Sequence, residues 1–147
     1  MRRRLPGGYE LDDDPERVDL DEVCRFLSND SYWARGRPRE KIEGSIRASA
    51  RVVGLYDFGG RQIGFARAVS DGVVTAYLAD VYVLAEHRGR GLGLDLVREL
   101  VDSGSLAGCG WLLHTADAHG LYGKLGFGKP SPRLMERGRR ETSGWEG

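Results

Sequence analysis

Apolar and polar positions change their period several times along the chain, and each period predicts an element of secondary structure. A short edge strand is expected near Tyr9 to Leu11. Apolar residues at helical spacing over positions 20–27 predict a helix, and Asp19 is its expected N-cap because an acidic residue follows at capping-box spacing. A second helix is predicted from Pro38, which suits a first helical position, to about Ala50.

The middle of the chain alternates as β-strands do. Strands are predicted over Arg51 to Phe58 and over Arg61 to Ser70, and Gly59-Gly60 between them is a hairpin signature. Asp71-Gly72 turns the chain again into a long strand from about Val73 to Val83.

The last third of the chain adds strands that alternate with helices. An amphipathic helix to about Ser103 follows the long strand, and a glycine-containing loop leads to a strand from Trp111 to His114. A short helix around His119 to Leu125 and a last strand around Pro132 to Glu136 complete the pattern. Hairpin strands beside two strand-helix-strand units indicate a mixed sheet with helices on its faces.

Composition limits the number of domains and the kinds of partner. With 147 residues, of which 40% are hydrophobic, the chain can bury roughly 70% of its unfolded surface as one domain. We expect this domain over residues 1–137 and a disordered polar tail over 138–147. Basic and acidic residues both number 22, so no net field favours binding to nucleic acid or to an anionic membrane.

The sequence favours a cytoplasmic protein without a bound metal. The basic start is followed by no apolar signal region, and no run reaches the roughly 18 apolar residues of a membrane span. Cys24 and Cys109 form neither a metal-ligand spacing nor a disulfide framework.

A glycine-rich turn separates the long strand from its helix. Its residues are Arg88-Gly89-Arg90-Gly91-Leu92-Gly93. Glycines allow positive φ and close approach of the backbone, and the unpaired N–H groups of the first helical turn point outward together. The helix start adds about half a positive charge, so a diphosphate is the predicted ligand. A dinucleotide fingerprint would need glycine at Leu94, and no P-loop pattern occurs.

A second motif lies about 30 residues downstream of this turn, at Gly120-Leu121-Tyr122-Gly123-Lys124-Leu125-Gly126-Phe127. The two motifs, in this order, resemble the GCN5-related N-acetyltransferase (GNAT) family, and the resemblance runs from about Tyr9 to about Glu136. It implies an α/β fold with a mixed, mostly antiparallel central sheet of about six or seven strands, with helices on both faces and strands four and five parallel and splayed.

The resemblance also implies acetyl-CoA as the co-substrate. Pantetheine would lie alongside the fourth strand like an added strand, using the backbones of Val81 and Val83. The pyrophosphate would bind the turn residues Arg88, Gly89, Arg90, Gly91, Leu92 and Gly93. Thr115 replaces the Asn that many relatives have seven residues before the motif tyrosine, so the role of that position stays open.

Acetyl transfer to an amine requires two proton movements, and the sequence offers a candidate for each. An alkylamine of pKa about 10.4 is neutral in only one molecule in roughly 2,500 at pH 7. Asp80 is the candidate base, with the alternative that it is a structural hydrogen-bond acceptor. Tyr122, which matches the motif tyrosine of the family, is the candidate acid for the leaving CoA thiolate, with the alternative that it is a core tyrosine.

The loop from Ser31 to Arg37 lies where acceptor specificity usually varies in the family that the chain resembles. Aromatic walls and guanidinium groups could hold an amine that also carries a carboxylate or phosphate, so Tyr32, Trp33 and Arg35 are predicted to bind substrate. Equally, Trp33 could be a lid over the core while the arginines contact CoA phosphate. Tyr82 joins the candidates because it alternates onto the strand face of Asp80.

The predicted function is transfer of an acetyl group from acetyl-CoA to a primary amine of a small molecule by direct attack in a ternary complex. An acyl-enzyme is not expected, because neither cysteine lies in a nucleophile motif. Two alternatives stay open, acetylation of a protein or peptide amine and a non-catalytic acyl-CoA-binding regulatory module. The fold serves many acceptors, so the sequence does not identify the amine. Exposed edge strands are compatible with a homodimer.

Overall fold

The fold is built on a sheet whose strands follow one another in space in the order of the sequence. A computed structural model describes residues 1–139; the predicted polar tail lies outside the described residues from position 140 onward. Within residues 1–139 the strands are Arg2–Arg4 (β1), Glu10–Asp12 (β2), Arg51–Tyr56 (β3), Gln62–Ser70 (β4), Thr75–Val83 (β5) and Gly110–Leu112 (β6).

All neighbouring strands are antiparallel except β5 and β6, which are parallel. This confirms the predicted mixed, mostly antiparallel sheet. The pair expected as strands four and five is β5 and β6, because no alternation in the sequence predicts β1. That strand consists of three arginines and is held by ion pairs, from Arg2 to Asp12 and from Arg3 to Glu99.

Helices cover both faces of the sheet, as predicted. Their bounds are Leu20–Arg25 (α1), Arg39–Ala48 (α2), Leu92–Asp102 (α3) and His119–Gly123 (α4). Tyr82 and Val83 are successive residues of β5, so their side chains point to opposite faces. Phe26, directly after α1, stacks on Tyr82 with ring centroids 3.8 Å apart. A Cβ placed on Gly93 of α3 would lie 3.9 Å from Val83, so α1 and α3 lie on opposite faces.

The predicted N-cap of α1 is confirmed, although the capping box is not closed. The Asp19 carboxylate accepts a hydrogen bond from the Glu22 backbone N–H at 3.2 Å. The Asp19 N–H instead donates to the side chain of Gln62 at 2.6 Å, which ties α1 to the sheet. Within residues 1–139, no helix is both long and apolar enough to cross a membrane.

The strand predicted around Pro132 to Glu136 does not form. Leu134 N–H donates to Ser131 O at 3.0 Å, which closes a turn at this point, and Pro132 has no N–H for a strand ladder. Met135 is 92% exposed, so the apolar residues of this segment do not join the core. Apolar residues alone predicted a strand here, but no neighbouring strand pairs with the segment in the described part of the chain.

A β-bulge interrupts β5 close to the point where β5 and β6 separate. Phe65 pairs with Tyr82 and Arg67 pairs with Ala79, so β5 carries one residue more than β4 between these pairs. Asp80, in the bulge, has a φ of 55°, in the left-handed region that non-glycine residues seldom adopt. The pairing of β5 with β6 ends at Tyr77, so the rest of β5 has an open edge on that side.

Candidate active site

The gap between β5 and β6 leads into a cavity of about 430 Å³. Its walls come from β5, the segment after β6, the loop before α2 and residues 136–139. Five of the predicted site residues line it together: Tyr32, Trp33, Asp80, Val81 and Tyr122. Segments far apart in the sequence therefore meet at the point where the parallel strands separate.

The glycine turn presents a row of unpaired backbone donors at the start of α3. Gly89 and Gly91 have φ values of 82° and 77°, and Gly91 takes the N-cap position without any side-chain cap. In the described part of the chain, the N–H groups from Gly89 to Leu94 meet no acceptor. A Cβ on Gly89 or Gly91 would meet nothing within 4 Å, so these positions need glycine for conformation rather than for packing.

The open edge of β5 connects the turn with the cavity. The Val83 carbonyl accepts a hydrogen bond from Arg88 Nε at 2.8 Å rather than from a neighbouring strand. Val81 lies further along the same strand and lines the cavity. Val83 and Val81, whose backbones are predicted to bind pantetheine, thus connect the turn to the cavity wall.

Asp80 is buried and accepts every hydrogen bond that a carboxylate can readily take. Trp33 Nε1 donates to Oδ1 at 2.8 Å, and Arg67 Nε donates to Oδ2 at 2.7 Å. Arg37 Nη1 lies 3.0 Å from Oδ1 and 2.9 Å from Oδ2. Burial alone raises the pKa of the Asp80 carboxyl, but Arg67, Arg37 and their hydrogen bonds outweigh burial, so its pKa lies below the usual range.

This geometry favours the structural interpretation of Asp80 over the role of base. A carboxylate has about four acceptor positions, and here the two arginines and the tryptophan occupy them. A carboxyl with a lowered pKa is also a weak proton acceptor at neutral pH. Asp80 instead fixes Trp33 and the two guanidinium groups in the cavity wall.

Tyr122 is a protonated hydrogen-bond donor whose hydroxyl has no partner within residues 1–139. Its ring is mostly buried and packs edge to face against Phe127, with centroids 5.9 Å apart. Burial raises the pKa of the Tyr122 phenol to about 12. In the described part of the chain its hydroxyl makes no hydrogen bond, so it is available to a molecule in the cavity.

The loop before α2 contributes two of its three predicted residues, Tyr32 and Trp33, and also Arg37, which was not predicted. Tyr32 accepts a hydrogen bond from the Ala116 N–H at 2.8 Å and so connects this loop to the segment after β6. Arg35 is exposed and does not line the cavity, whereas Arg37 does. The reason is a tight turn in which the Arg37 N–H donates to Ala34 O at 2.9 Å, which leaves Arg35 at the tip.

Tyr82 does not reach the cavity either. It is 4% exposed and stacks on Phe26 in the core. The prediction relied on alternation with Asp80, but Phe26 covers the Tyr82 ring, so the ring belongs to the core. A contact between residues so distant in sequence is not visible in the local pattern of the strand.

Several polar lining residues were not predicted as site residues, among them Arg67, Tyr77 and Glu136. A signal existed for Arg67, which is the one charged residue of β4. Thr115 also lines the cavity, and its Oγ1 accepts a hydrogen bond from the Ala118 N–H at 3.0 Å just before α4. Thr115 therefore supports the segment that carries Tyr122.

Comparisons with known proteins concern the family and the fold of the chain. A sequence profile of the acetyltransferase (GNAT) family matches residues 18–127. FG08082 of Gibberella zeae, which is named as an acetyltransferase, is 30% identical over an alignment that covers 80% of this chain and 77% of the relative. A GNAT-family crystal structure from Xanthomonas campestris is 39% identical, with a TM-score of 0.82 over 88% of this chain and 92% of that chain.

A crystal structure from Deinococcus radiodurans shares the fold with a TM-score of 0.70 at 24% identity, and covers 93% of this chain and 94% of its own. At this identity the likeness concerns the fold alone. Together these comparisons match most of the chain.

Replacing Asp80 by Asn should destabilise the protein. The change leaves the buried guanidinium of Arg37 and the partly buried one of Arg67 without their counter-charge, so we expect the free energy of unfolding to fall by about 3–5 kcal/mol in urea titrations. The pKa of Asp80 is lower in the folded protein than in the unfolded chain. Its contribution to the free energy of unfolding is therefore complete above about pH 4, the pKa of the unfolded state, and is lost as the pH falls through the folded pKa.

Asp117→Asn is the matched control, since Asp117 is an exposed carboxylate of the same cavity wall. Its effect should stay within about 0.5 kcal/mol. An Asp80→Asn protein with normal stability and lost turnover would instead establish Asp80 as the base.

Proposed function

The chain belongs to the GNAT family of acetyltransferases, and from this premise we propose that it transfers the acetyl group of acetyl-CoA to a primary amine of a small molecule. The amine attacks directly within a ternary complex. Two observations disfavour an acyl-enzyme. Burial raises the pKa of the Cys24 thiol, and Cys109 does not line the cavity in the described part of the chain.

The start of α3 carries this proposal. Its unpaired N–H groups, the positive end of the helix dipole and the exposed cations of Arg88 and Arg90 fit a diphosphate. The open edge of β5 then leads from this turn to the cavity that Tyr122 lines. Acetyl-CoA, when bound, supplies the thioester whose carbonyl carbon the amine attacks.

The size of the cavity supports a small acceptor. A volume of about 430 Å³ lies in the range of small-molecule sites, which is roughly 300–1,000 Å³. Tyr32, hydrogen-bonded to Ala116, and residues 136–139 both contribute to the walls. A peptide chain would need an open groove, so these walls favour a small amine over a protein or peptide amine.

Each polar group of the site has a proposed task. Tyr122 gives its proton to the sulfur of CoA as the C–S bond breaks, since its phenol keeps that proton at neutral pH. Asp80 positions Arg37, Arg67 and Trp33 against the acceptor. Cations near the amine also favour its neutral, nucleophilic form.

A thiol-release assay tests the proposal. The protein is incubated with acetyl-CoA and with pools of alkylamines, amino acids and amino sugars, and separately with a lysine-containing peptide. We expect amine-dependent release of CoA thiol with a small-molecule pool. Release with the peptide alone would contradict the small-molecule acceptor, and stabilisation by acetyl-CoA without any amine-dependent thiol would contradict catalysis.

Gly91→Glu should weaken acetyl-CoA binding roughly tenfold or more, which corresponds to at least about 1.4 kcal/mol. The new carboxylate would compete with the diphosphate for the helix start and repel it. Calorimetric titration with acetyl-CoA measures the affinity. Gly60→Glu is the control, because Gly60 also has a positive φ of 85° and open space, but lies in the β3–β4 turn. Equal affinity in both variants would overturn the assignment of the turn.

Tyr122→Phe should lower kcat by about 10²-fold or more and leave acetyl-CoA affinity nearly unchanged, because only the proton donor is lost. Steady-state kinetics and calorimetry check the two quantities separately. Tyr56→Phe is the matched control, since the buried Tyr56 hydroxyl has no partner among residues 1–139. Unchanged turnover in Tyr122→Phe would remove Tyr122 from the chemistry.

A further inference from the structure

The acceptor nitrogen needs a group that takes its proton, and Asp80 is already saturated with donors. At pH 7 an alkylamine of pKa about 10.4 is almost wholly protonated. The Asp80 oxygens face Trp33, Arg37 and Arg67, which leaves no free acceptor position. Another group of the cavity must therefore receive the proton.

Three side chains of the cavity wall form a continuous hydrogen-bonded chain. The Tyr77 hydroxyl bonds His114 Nδ1, and His114 Nε2 lies 2.9 Å from a carboxylate oxygen of Glu136. All three line the same cavity as Tyr122. The sheet aligns the first contact, because Tyr77 pairs with Leu112 in the last parallel pair before the strands separate.

The partners determine which nitrogen of the neutral imidazole carries the proton. A carboxylate has no proton to donate, so the Nε2–H of His114 donates to Glu136. Nδ1 is then unprotonated and accepts from the Tyr77 hydroxyl. The Tyr77 oxygen keeps lone pairs that can accept an N–H from a molecule in the cavity.

We infer that Tyr77, His114 and Glu136 form a relay that removes a proton from the acceptor nitrogen. This inference rests on the proposed acetyl transfer. The nitrogen gives its proton to the Tyr77 oxygen while Tyr77 gives its own to His114 Nδ1, so the phenol is neutral before and after. Tyr77 is the catalytic residue that touches the amine. Glu136 is a positioning residue that orients the imidazole and stabilises the imidazolium.

The proton count closes. Of the three protons on an alkylammonium nitrogen, the amide keeps one and a second replaces the proton that Tyr122 gives to sulfur. The relay carries the third to solvent. The nitrogen lone pair forms the C–N bond, and the electrons of the C–S bond leave with sulfur.

The surroundings suit a path to solvent. His114 and Glu136 are 61% and 63% exposed, so an imidazolium can pass its proton directly to water. Burial raises the pKa of the Tyr77 phenol, which keeps it protonated between turnovers. The other charged groups of this cavity wall are Arg37, Arg67, Asp80, Asp117, Arg137 and Arg139.

Kinetics of His114→Gln and Tyr77→Phe test the relay, with the alkylamine that the wild type acetylates best as the probe. Each variant should lose about 10²-fold in kcat/KM at pH 7 while acetyl-CoA affinity is unchanged. The loss should shrink as the pH rises toward the amine pKa, because neutral amine then no longer depends on the relay. A loss that is equal at every pH would overturn the inference.

Two further variants separate proton transfer from structure. His119→Gln, at an exposed histidine outside the cavity lining, should behave as the wild type. Glu136→Gln should lower kcat/KM in an otherwise wild-type protein but cause no further loss in the His114→Gln protein, since Glu136 acts only through the imidazole. Additive losses would contradict the positioning role.

A substrate-free measurement keeps the inference distinguishable from the proposed function. Long-range ¹⁵N–¹H NMR of the imidazole, assigned by the signal that His114→Gln removes, should show the Nε2–H tautomer at pH about 8. The Nδ1–H tautomer would overturn the relay even in an active enzyme. If no amine is acetylated, the proposed function fails, and the tautomer still decides whether the hydrogen-bonded chain exists.

Discussion

The bulge at Asp80 is the constraint on which the site depends. It adds one residue to β5 opposite β4, and three residues earlier the pairing of β5 with β6 ends. A left-handed φ at a non-glycine residue costs about 1–2 kcal/mol. Hydrogen bonds from Trp33, Arg37 and Arg67 to the Asp80 carboxylate hold the chain in this conformation. The open edge of β5 begins just before the bulge, and Asp80 itself lines the cavity.

The polar groups of the cavity divide into two sets with different electrostatics. Around Asp80, burial and two guanidinium groups produce a fixed carboxylate that holds its neighbours in place. In the same cavity wall, His114 and Glu136 are more than half exposed to water, which suits the proposed release of a proton to solvent. A buried carboxylate between cations neither releases its partners nor accepts a proton, so Asp80 holds its neighbours in place.

The predictions that held depend on contacts close in sequence. The α1 cap at Asp19, the hairpins and the turn into α3 each depend on residues within a few positions of one another, so spacing alone identifies them. The predictions that failed depend on distant contacts. Tyr82 does not reach the cavity because Phe26, which is distant in sequence, covers its ring. The strand expected around Pro132 to Glu136 lacks a neighbouring strand within residues 1–139.

The sequence by itself determined the order of elements from β2 to α4, the glycine turn with its unpaired amides, and the tyrosine of the second motif. These features are local, because periodicity, capping and positive φ are properties of short segments. Only the tertiary structure decided that Asp80 binds two arginines and that Tyr77, His114 and Glu136 form a chain. The two arginines lie 13 and 43 residues from Asp80 in the sequence, and His114 lies 37 residues from Tyr77 and 22 from Glu136. Strand register and loop closure bring these residues together, and no short segment encodes either.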